Sequence, residues 1–513
     1  MRVTNRMMTT NMLSNINRNK QNMDTLGNQY STQQKIQRPS EDPVVAVRSL
    51  KYRTQLSETT QYVEKNIPDA FAWMDVTEGA MKEINSMITS INTYCNQGST
   101  GTLEIKDRNS IIETLTQYRD HVYNLANADY AGRYVFTGFR TDTSLLFSEA
   151  TNGTADKTYT TYTIKEELTF NDISNTTYVK GGVTYAANKT ANQYASEAAT
   201  TGKCQKLALS YGKLDTNGVK TVTLTDKAGN SIKITTNAAD NADGFVLKKK
   251  SMTAADKYEA GANEIVYIEE TGELIFGENV SAKALDYQKI SVEYDKTKFE
   301  KGDIRPEHYF ECKTTYHDNT DPANPTTKVT NYTNPAVQKI EYEVNFSQKL
   351  TVNTLAKDAF PTSIRTKMDE IIRAVNEVFD MDDKISDANK LLEGETDKAK
   401  IAALTEYKEQ LTNEKTLKEK ILQEAFGSAL TTTAKAQEQV NVAVSNHGSR
   451  YLRLQMTESR LSTQKIDFTE MLKTNDCVEL EDAIINYKSA EIIYNASLNC
   501  ASTVVKNSLL DFL

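Results

Sequence analysis

LSETTQYVEKNIPDAFAWMDVTEGAMKEINSMITSINTYC, residues 56–95, carries two interleaved series of apolar or small residues, each repeating every seven positions. One series is Leu56, Val63, Ala70, Thr77, Ile84 and Ile91; the other is Thr60, Ile67, Met74, Met81, Ile88 and Cys95. Successive heptads in one phase define the a/d seam of a helix that packs lengthwise against another helix. The run extends back through Leu50 to Pro43, a rod of about fifty residues, roughly 80 Å long at 1.5 Å per residue. One helix cannot hide such a stripe, so its partners lie elsewhere in the chain or in neighbouring subunits. Pro68 falls in the middle of the rod, yet the phase survives from Val63 to Ala70 and from Ile67 to Met74. That predicts a kink between collinear halves.

Towards the N-terminus, Met12, Ile16, Met23, Leu26 and Tyr30 mark a second, weaker seam among Asn and Gln residues, with Asn19 at one of its expected apolar positions. Such a segment is marginal as a free helix and gains by zipping against others, so disorder before assembly is expected. Between the seams, ArgProSerGluAspPro at 38–43 stops one element and starts the next. Ser40 is the expected N-cap, Glu41 and Asp42 favour a helix N-terminus, and Pro43 fits a first turn.

Beyond the rod, AsnGlnGlySerThrGly at 96–101 reverses the chain into a helix over about 103–129, with Ile111, Ile112, Leu115, Tyr118, Val122 and Leu125 on one side. TyrAlaGlyArgTyrValPheThrGlyPheArg at 130–140 then switches to a β-like pattern around Gly132 and Gly138, which predicts a hairpin. From 141 to about 360 the chain is β-prone, with strands expected at 158–164, 219–225, 231–235, 264–268 and 341–346 between Gly- and Asn-containing turns. Helicity returns with Met368, Ile371, Ile372, Val375 and Phe379. A charged helical excursion over about 384–426 follows, and a second rod over 429–472 whose C-terminal half is the expected antiparallel partner of the first. ThrAsnAspCysValGluLeuGluAsp at 474–482 turns a corner into a last helix that presents Leu480, Ile484, Tyr487, Leu498 and Val505, with Ala483, Ala490, Ser497 and Ala501 beside them.

The division this predicts is an N-terminal assembly segment (1–37), the first part of a helical rod domain (38–140), a variable β-rich outer region (141–360), a helical connection and excursion (361–428), the second part of the rod domain (429–473) and a C-terminal assembly segment (474–513). The fold class is mainly α at both ends, a long antiparallel helical bundle or coiled coil, with an inserted β-rich centre.

A formal charge of -9 without a basic block argues against nucleic acid. No stretch has transmembrane length, and MRVTNRMMTTNML holds no apolar run of signal-peptide length, so neither membrane insertion nor a cleaved signal is expected. Five widely spaced cysteines with no CxxC pair argue against a disulfide framework or zinc knuckle. His308, Cys312 and His317 offer only three ligands on irregular chain, and a structural loop is the better reading. His121 and His447 have no local catalytic partner, and no phosphate loop, HExxH or GxSxG occurs. No catalytic residue, cofactor or metal is therefore expected, and an enzyme is not.

Taken together, MetArgValThrAsnArgMetMet at 1–8, ArgProSerGluAspProValValAlaValArg at 38–48, AlaGlyArgTyrValPheThrGlyPheArg at 131–140, HisGlySerArgTyrLeuArgLeu at 447–454, GluAspAlaIleIleAsnTyrLysSerAla at 481–490 and the closing LeuLeuAspPheLeu resemble the flagellin superfamily. Within it they are most similar to the hook-associated protein 3 family of hook–filament junction proteins. The likeness covers about 1–140 and 430–513. Its motif residues here are Arg38, Pro39, Ser40, Asp42, Pro43, Gly132, Arg133, Tyr134, Phe136 and Gly138.

The resemblance implies an extracellular structural protein of the bacterial flagellum, exported by the flagellar type III route. It implies ends that become helical on assembly, with Met12, Ile16, Met23, Leu26, Tyr30, Leu480, Ile484, Tyr487, Leu498 and Val505 as inner contacts. The implied partners are further copies in a junction ring, the first hook–filament junction protein, filament flagellin and an export chaperone. The long middle and Pro68 depart from the family pattern. Filament flagellin and a surface adhesin displayed by the central region remain as alternatives.

Overall fold

The computed structural model describes residues 5–100, 105–237, 241, 244–321, 325–332 and 337–506. Seven long helices run, in chain order, α1 Asn5–Thr32, α2 Pro43–Gln61, α3 Ile67–Gly98, α4 Ile105–Leu125, α5 Ser363–Glu393, α6 Lys398–Asp476 and α7 Leu480–Lys506. The chain forms two compact units. The first comprises Met1–Ala70, Tyr342–Leu350 and Leu452–Leu513; the second comprises Phe71–Glu341 and Thr351–Tyr451.

Between α2 and α3 the expected kink is a π turn, Tyr62–Asn66, in which Ile67 N–H donates to Tyr62 O. Pro68 has no N–H to give, and its ring crowds the carbonyl four residues earlier. A wider turn just upstream relieves both and lets the helix continue.

In the second unit, α3 packs antiparallel on α6. Asn85 Nδ2 donates to Asn441 Oδ1 at 3.0 Å, Gln437 Nε2 to Thr89 Oγ1 at 3.0 Å and Asn92 Nδ2 to Thr433 Oγ1 at 2.8 Å. The excursion expected at 384–426 is instead the end of α5, a turn at 394–397 and the start of α6, and from Lys398 it continues into the second rod as one helix of 79 residues with no proline to interrupt it. Its N-terminal part folds back on α5 across a turn at Gly394. Met381 and Ala388 meet Ala403, Tyr407 and Leu411 there, over Val183 and Tyr194.

Among the described residues the strands form four sheets, two of them two-stranded hairpins at 129–134 and 341–351. The strands are β1 Asp129–Tyr130, β2 Arg133–Tyr134, β3 Thr158–Thr169, β4 Ser174–Lys180, β5 Thr200–Ala208, β6 Val219–Thr225, β7 Ser231–Thr235, β8 Val246–Lys250, β9 Glu264–Ile268, β10 Glu273–Phe276, β11 Lys289–Lys296, β12 Glu311–Asp318, β13 Thr326–Tyr332, β14 Glu341–Asn345 and β15 Gln348–Thr351. A six-stranded sheet has the order β13-β12-β3-β11-β6-β7 and a five-stranded sheet the order β4-β5-β10-β9-β8. Alternation decides their faces: Ile290, Val292 and Tyr294 of β11 point into a core shared with Ile164, Val222, Leu207, Leu274 and Tyr267. Buried charges tie the five-stranded sheet to α5. Lys206 Nζ lies 2.7 Å from Glu370 and 3.3 Å from Glu273, which also accepts from Arg373 at 2.7 Å.

In the first unit, α6 runs antiparallel to α2 and the π turn. Lys465 pairs with Glu64 at 2.6 Å, while Asp476 accepts from Ser49 Oγ and Arg53 Nη2, each at 2.8 Å. The terminal helices α1 and α7 also lie antiparallel, with Asn19 Nδ2 donating to Ser497 Oγ at 2.6 Å and Tyr30 stacked on Tyr487 at 5.8 Å.

Candidate assembly surface

The connectors that carry the chain into and out of the terminal helices are bound to each other. Lys35 N–H donates to Asp476 O at 2.8 Å and Val478 N–H to Gln33 O at 2.9 Å, a short bridge between 33–35 and 476–478. Asp476 also takes the hydrogen bonds from α2. Burial acts to raise its pKa, but the hydrogen bonds from Arg53, Ser49 and Asn475 outweigh it and hold the carboxyl below its usual range.

The N-cap of α2 is Asp42, two residues beyond the expected Ser40. Its Oδ1 accepts from Val44 N–H at 2.9 Å and Val45 N–H at 3.2 Å. Pro43 is already the first helical residue, so the capping position is the one before it. Arg38 O accepts from Glu41 N–H at 3.0 Å, while Pro39 and Ser40 are exposed.

The expected interface residues divide into two sets. Met12, Ile16, Met23 and Leu26 are half-buried on the face of α1 that meets α7, and Tyr30 stacks on the half-buried Tyr487. On α7 that face consists of Ala483, Tyr487, Ala490, Tyr494, Ser497 and Ala501. Leu480, Ile484 and Leu498 stay exposed, as do Ile485, Ile492 and Ile493, which sequence periodicity did not single out. The side chain of Val505 lies outside the described residues, as do Met1–Thr4 and the closing 509–513. The exposed apolar side chains lie off the side of α7 that meets α1, so a single partner covers only part of its apolar surface. Altogether the first unit, about a quarter of the chain, carries two thirds of the exposed large apolar side chains among the described residues.

The Gly132–Gly138 motif sits in the second unit and seals its helical end. Ala131 (φ 52°) and Gly132 (φ 75°) form the two-residue turn between β1 and β2, a geometry that needs left-handed backbone at both central positions. The Arg133 guanidinium lies 5.1 Å over the Trp73 ring. Tyr134 N–H donates to Thr141 O at 2.9 Å, and Phe136 is fully buried edge-on against Phe360 at 4.8 Å. Gly138 (φ 65°) admits Gln338, whose Oε1 accepts from Phe139 N–H at 3.1 Å; a side chain there would displace it.

His308 and Cys312 are buried, while His317 stacks on Tyr159 at 4.6 Å. Among the described residues no group of three or more His, Cys, Asp or Glu is placed to hold a metal ion, and no helix is long and apolar enough to cross a membrane. All five cysteines are free; burial on the seam pushes the Cys95 thiol up to about 12. His121 is exposed, 3.8 Å from Glu83, and His447 is enclosed in α6.

Paired terminal helices flanking a long helical body with a β-rich insertion are the arrangement of a flagellin-like multidomain protein. In agreement, residues 3–141 match the family model of the bacterial flagellin N-terminal helical region. Flagellar hook-associated protein 3 of Salmonella typhimurium is 30% identical over 156 residues, which are 30% of this chain and 48% of that protein. The Escherichia coli protein of the same name is 30% identical over 152 residues, 29% of this chain and 47% of its own. The chain thus spans about half the length of the curated relatives it matches. Over the matched residues it is similar to flagellar hook-associated protein 3. The solved structure of flagellar hook-associated protein 3 from Legionella pneumophila covers 82% of this chain and 97% of its own at 12% identity, with a TM-score of 0.27, a likeness too loose to argue from.

Proposed function

We propose that the chain is a mechanical adaptor at the hook–filament junction of the bacterial flagellum, forming a short ring of copies between hook-side and filament components. Its neighbours in this reading are further copies of itself, the first hook–filament junction protein and filament flagellin, with an export chaperone holding it beforehand. The observation that carries the reading is the exposed apolar wedge of α7, which the chain leaves in water on its own. An adaptor ring needs different surfaces above and below, and helices that close only against neighbours couple ordering of the ends to incorporation.

The test is immunogold labelling of intact flagella with an antibody against residues 141–350. A narrow band at the hook–filament boundary is expected; label along the whole filament would make the chain a filament subunit instead. Leu498→Asp adds the mechanism. The side chain is exposed in the single chain, so the variant folds with unchanged melting, yet it is expected to be missing from isolated hook–filament preparations. Normal incorporation would overturn the mechanism.

A further inference from the structure

The segments that join the terminal helices to the rest of the first unit have no core of their own: none of residues 33–42 or 474–480 is buried. Hydrogen bonds therefore set the path of the chain there, and several of them meet at Asp476, the last residue of α6. A carboxylate is the wrong charge for a helix C-terminus, where the carbonyl ends are already negative. Lys35 Nζ, which donates to Thr474 O at 2.5 Å, has the right one. Capping of α6 thus gives no reason for an acid at 476.

What the acid does is hold several segments at once. Its Oδ2 takes Ser49 Oγ and Arg53 Nη2 of α2, its Oδ1 takes Asn475 Nδ2 at 2.9 Å, and its main-chain oxygen takes Lys35 N–H from the segment that follows α1. Asn475 Nδ2 also donates to Val45 O at 3.0 Å, and Gln29 Nε2 of α1 to Lys35 O at 2.8 Å. The exits of both terminal helices are thereby tied to α2. The Arg53 side chain is 61% exposed, so its ion pair with Asp476 adds little to stability. The effect of the cluster is on direction.

We infer that Asp476 is a positioning residue for assembly: it fixes the direction in which α1 and α7 leave α2 and α6, and so presents their uncovered faces as one body. The inference rests on the reading above that these faces are covered on incorporation. An interface whose parts are held in place beforehand loses less freedom on closing than one whose parts swing. Without the carboxylate, α1 and α7 still pack on each other. The bridge between 33–35 and 476–478 then loses its hold on α2, and the pair is presented in many directions.

The test uses the full chain carrying Asp476→Ala, or Arg53→Asp together with Asp476→Arg, which reverses the ion pair. Hydrogen exchange is read at the Lys35 and Val478 amides, which close the bridge from opposite ends of the chain, and incorporation is read in isolated hook–filament preparations. In Asp476→Ala both amides should exchange faster together while amides from Ile67 to Cys95 keep their protection. Incorporation should fall about tenfold, the cost of ordering a pair no longer held in place. The reversed pair should restore the protection and the incorporation together. Unchanged protection of the two amides in Asp476→Ala, full incorporation of that variant or a reversed pair that leaves incorporation low would overturn the inference. Equal loss of protection between Ile67 and Cys95 would do so as well, by making Asp476 a contributor to stability alone. The two readings fail separately. Label along the whole filament with this pattern intact removes the junction reading and leaves Asp476 its role, whereas a boundary band with full incorporation of Asp476→Ala removes the role alone.

Discussion

One heptad seam runs through both units of this protein and ends differently in each. From Ile67 to Cys95 every a and d position is fully buried: Ile67, Ala70, Met74, Thr77, Met81, Ile84, Ile88, Ile91 and Cys95. At Leu56, Thr60 and Val63, on the N-terminal side of Pro68, the same pattern is only half-covered. The second unit satisfies its apolar pattern within one chain, with aromatic residues and a β core on top. The first presents the same kind of pattern and leaves much of it in water. Apolar periodicity thus states that a surface is to be covered without stating by whom. Coverage within one chain separates folding from assembly.

Matched charge insertions give the sharpest way to break that contrast. Ile84→Asp puts an unpaired carboxylate into a closed seam, which costs about 4 kcal/mol or more and should abolish the cooperative helical melt of the second unit. Ile485→Asp, on the open face of α7, should change the stability of the isolated chain by no more than about 0.5 kcal/mol while preventing assembly. Thermal melting and incorporation, measured on both variants, check the pair. A large loss of chain stability in Ile485→Asp would show that the open face is already covered.

A smaller effect comes from His447, fully enclosed where α6 meets the seam, with neither ring nitrogen bonded to another described side chain. Burial, and then the Arg450 charge, lower its pKa to about 4, against weaker upward pulls from Glu78, the Met74 carbonyl and Asp75. The unfolded imidazole, near 6.5, binds its proton first, so stability falls as pH drops from about 6.5 to about 4 and is flat above that window. The loss is on the order of 3 kcal/mol. His308, buried and also lowered to about 4, contributes in the same window. Denaturant melts at pH 7 and pH 4 should therefore differ, and His447→Gln should remove about half of the difference. An unchanged difference would place the proton uptake elsewhere.

Much of this arrangement was legible in the sequence, and the illegible part has physical causes. Heptads, turn residues and β-branched runs act locally, so the long seam, the 130–140 hairpin and strands such as Val219–Thr225 and Ser231–Thr235 could be read directly. Sheet order could not, because β3 pairs with β11 and β12, more than a hundred residues away. The working face of α7 was ambiguous for a different reason. With Ile484, Ile485, Ile492 and Ile493 spread around the helix, periodicity points in several directions at once. What selects the side facing α1 is size: Ala483, Ala490 and Ser497 leave room for Met12, Ile16, Met23 and Leu26. The docking of the β14–β15 hairpin beside Asn66 and Asp69 joins segments more than 270 residues apart, and no local pattern encodes it.

The smallest expected effect probes the boundary between the half-covered helices themselves. Asp42→Ala removes the carboxylate that accepts from Val44 and Val45 N–H and leaves the first turn of α2 uncapped, a loss of about 1 kcal/mol. Pro43 still starts the helix by fixing its backbone, so the fold is retained and the damage stays local. Hydrogen exchange should therefore accelerate over the first turns of α2 while amides between Ile67 and Cys95 keep their protection. If protection instead fell equally along the whole seam, the two halves would unfold as one cooperative body, and the difference in burial across Pro68 would have no counterpart in stability.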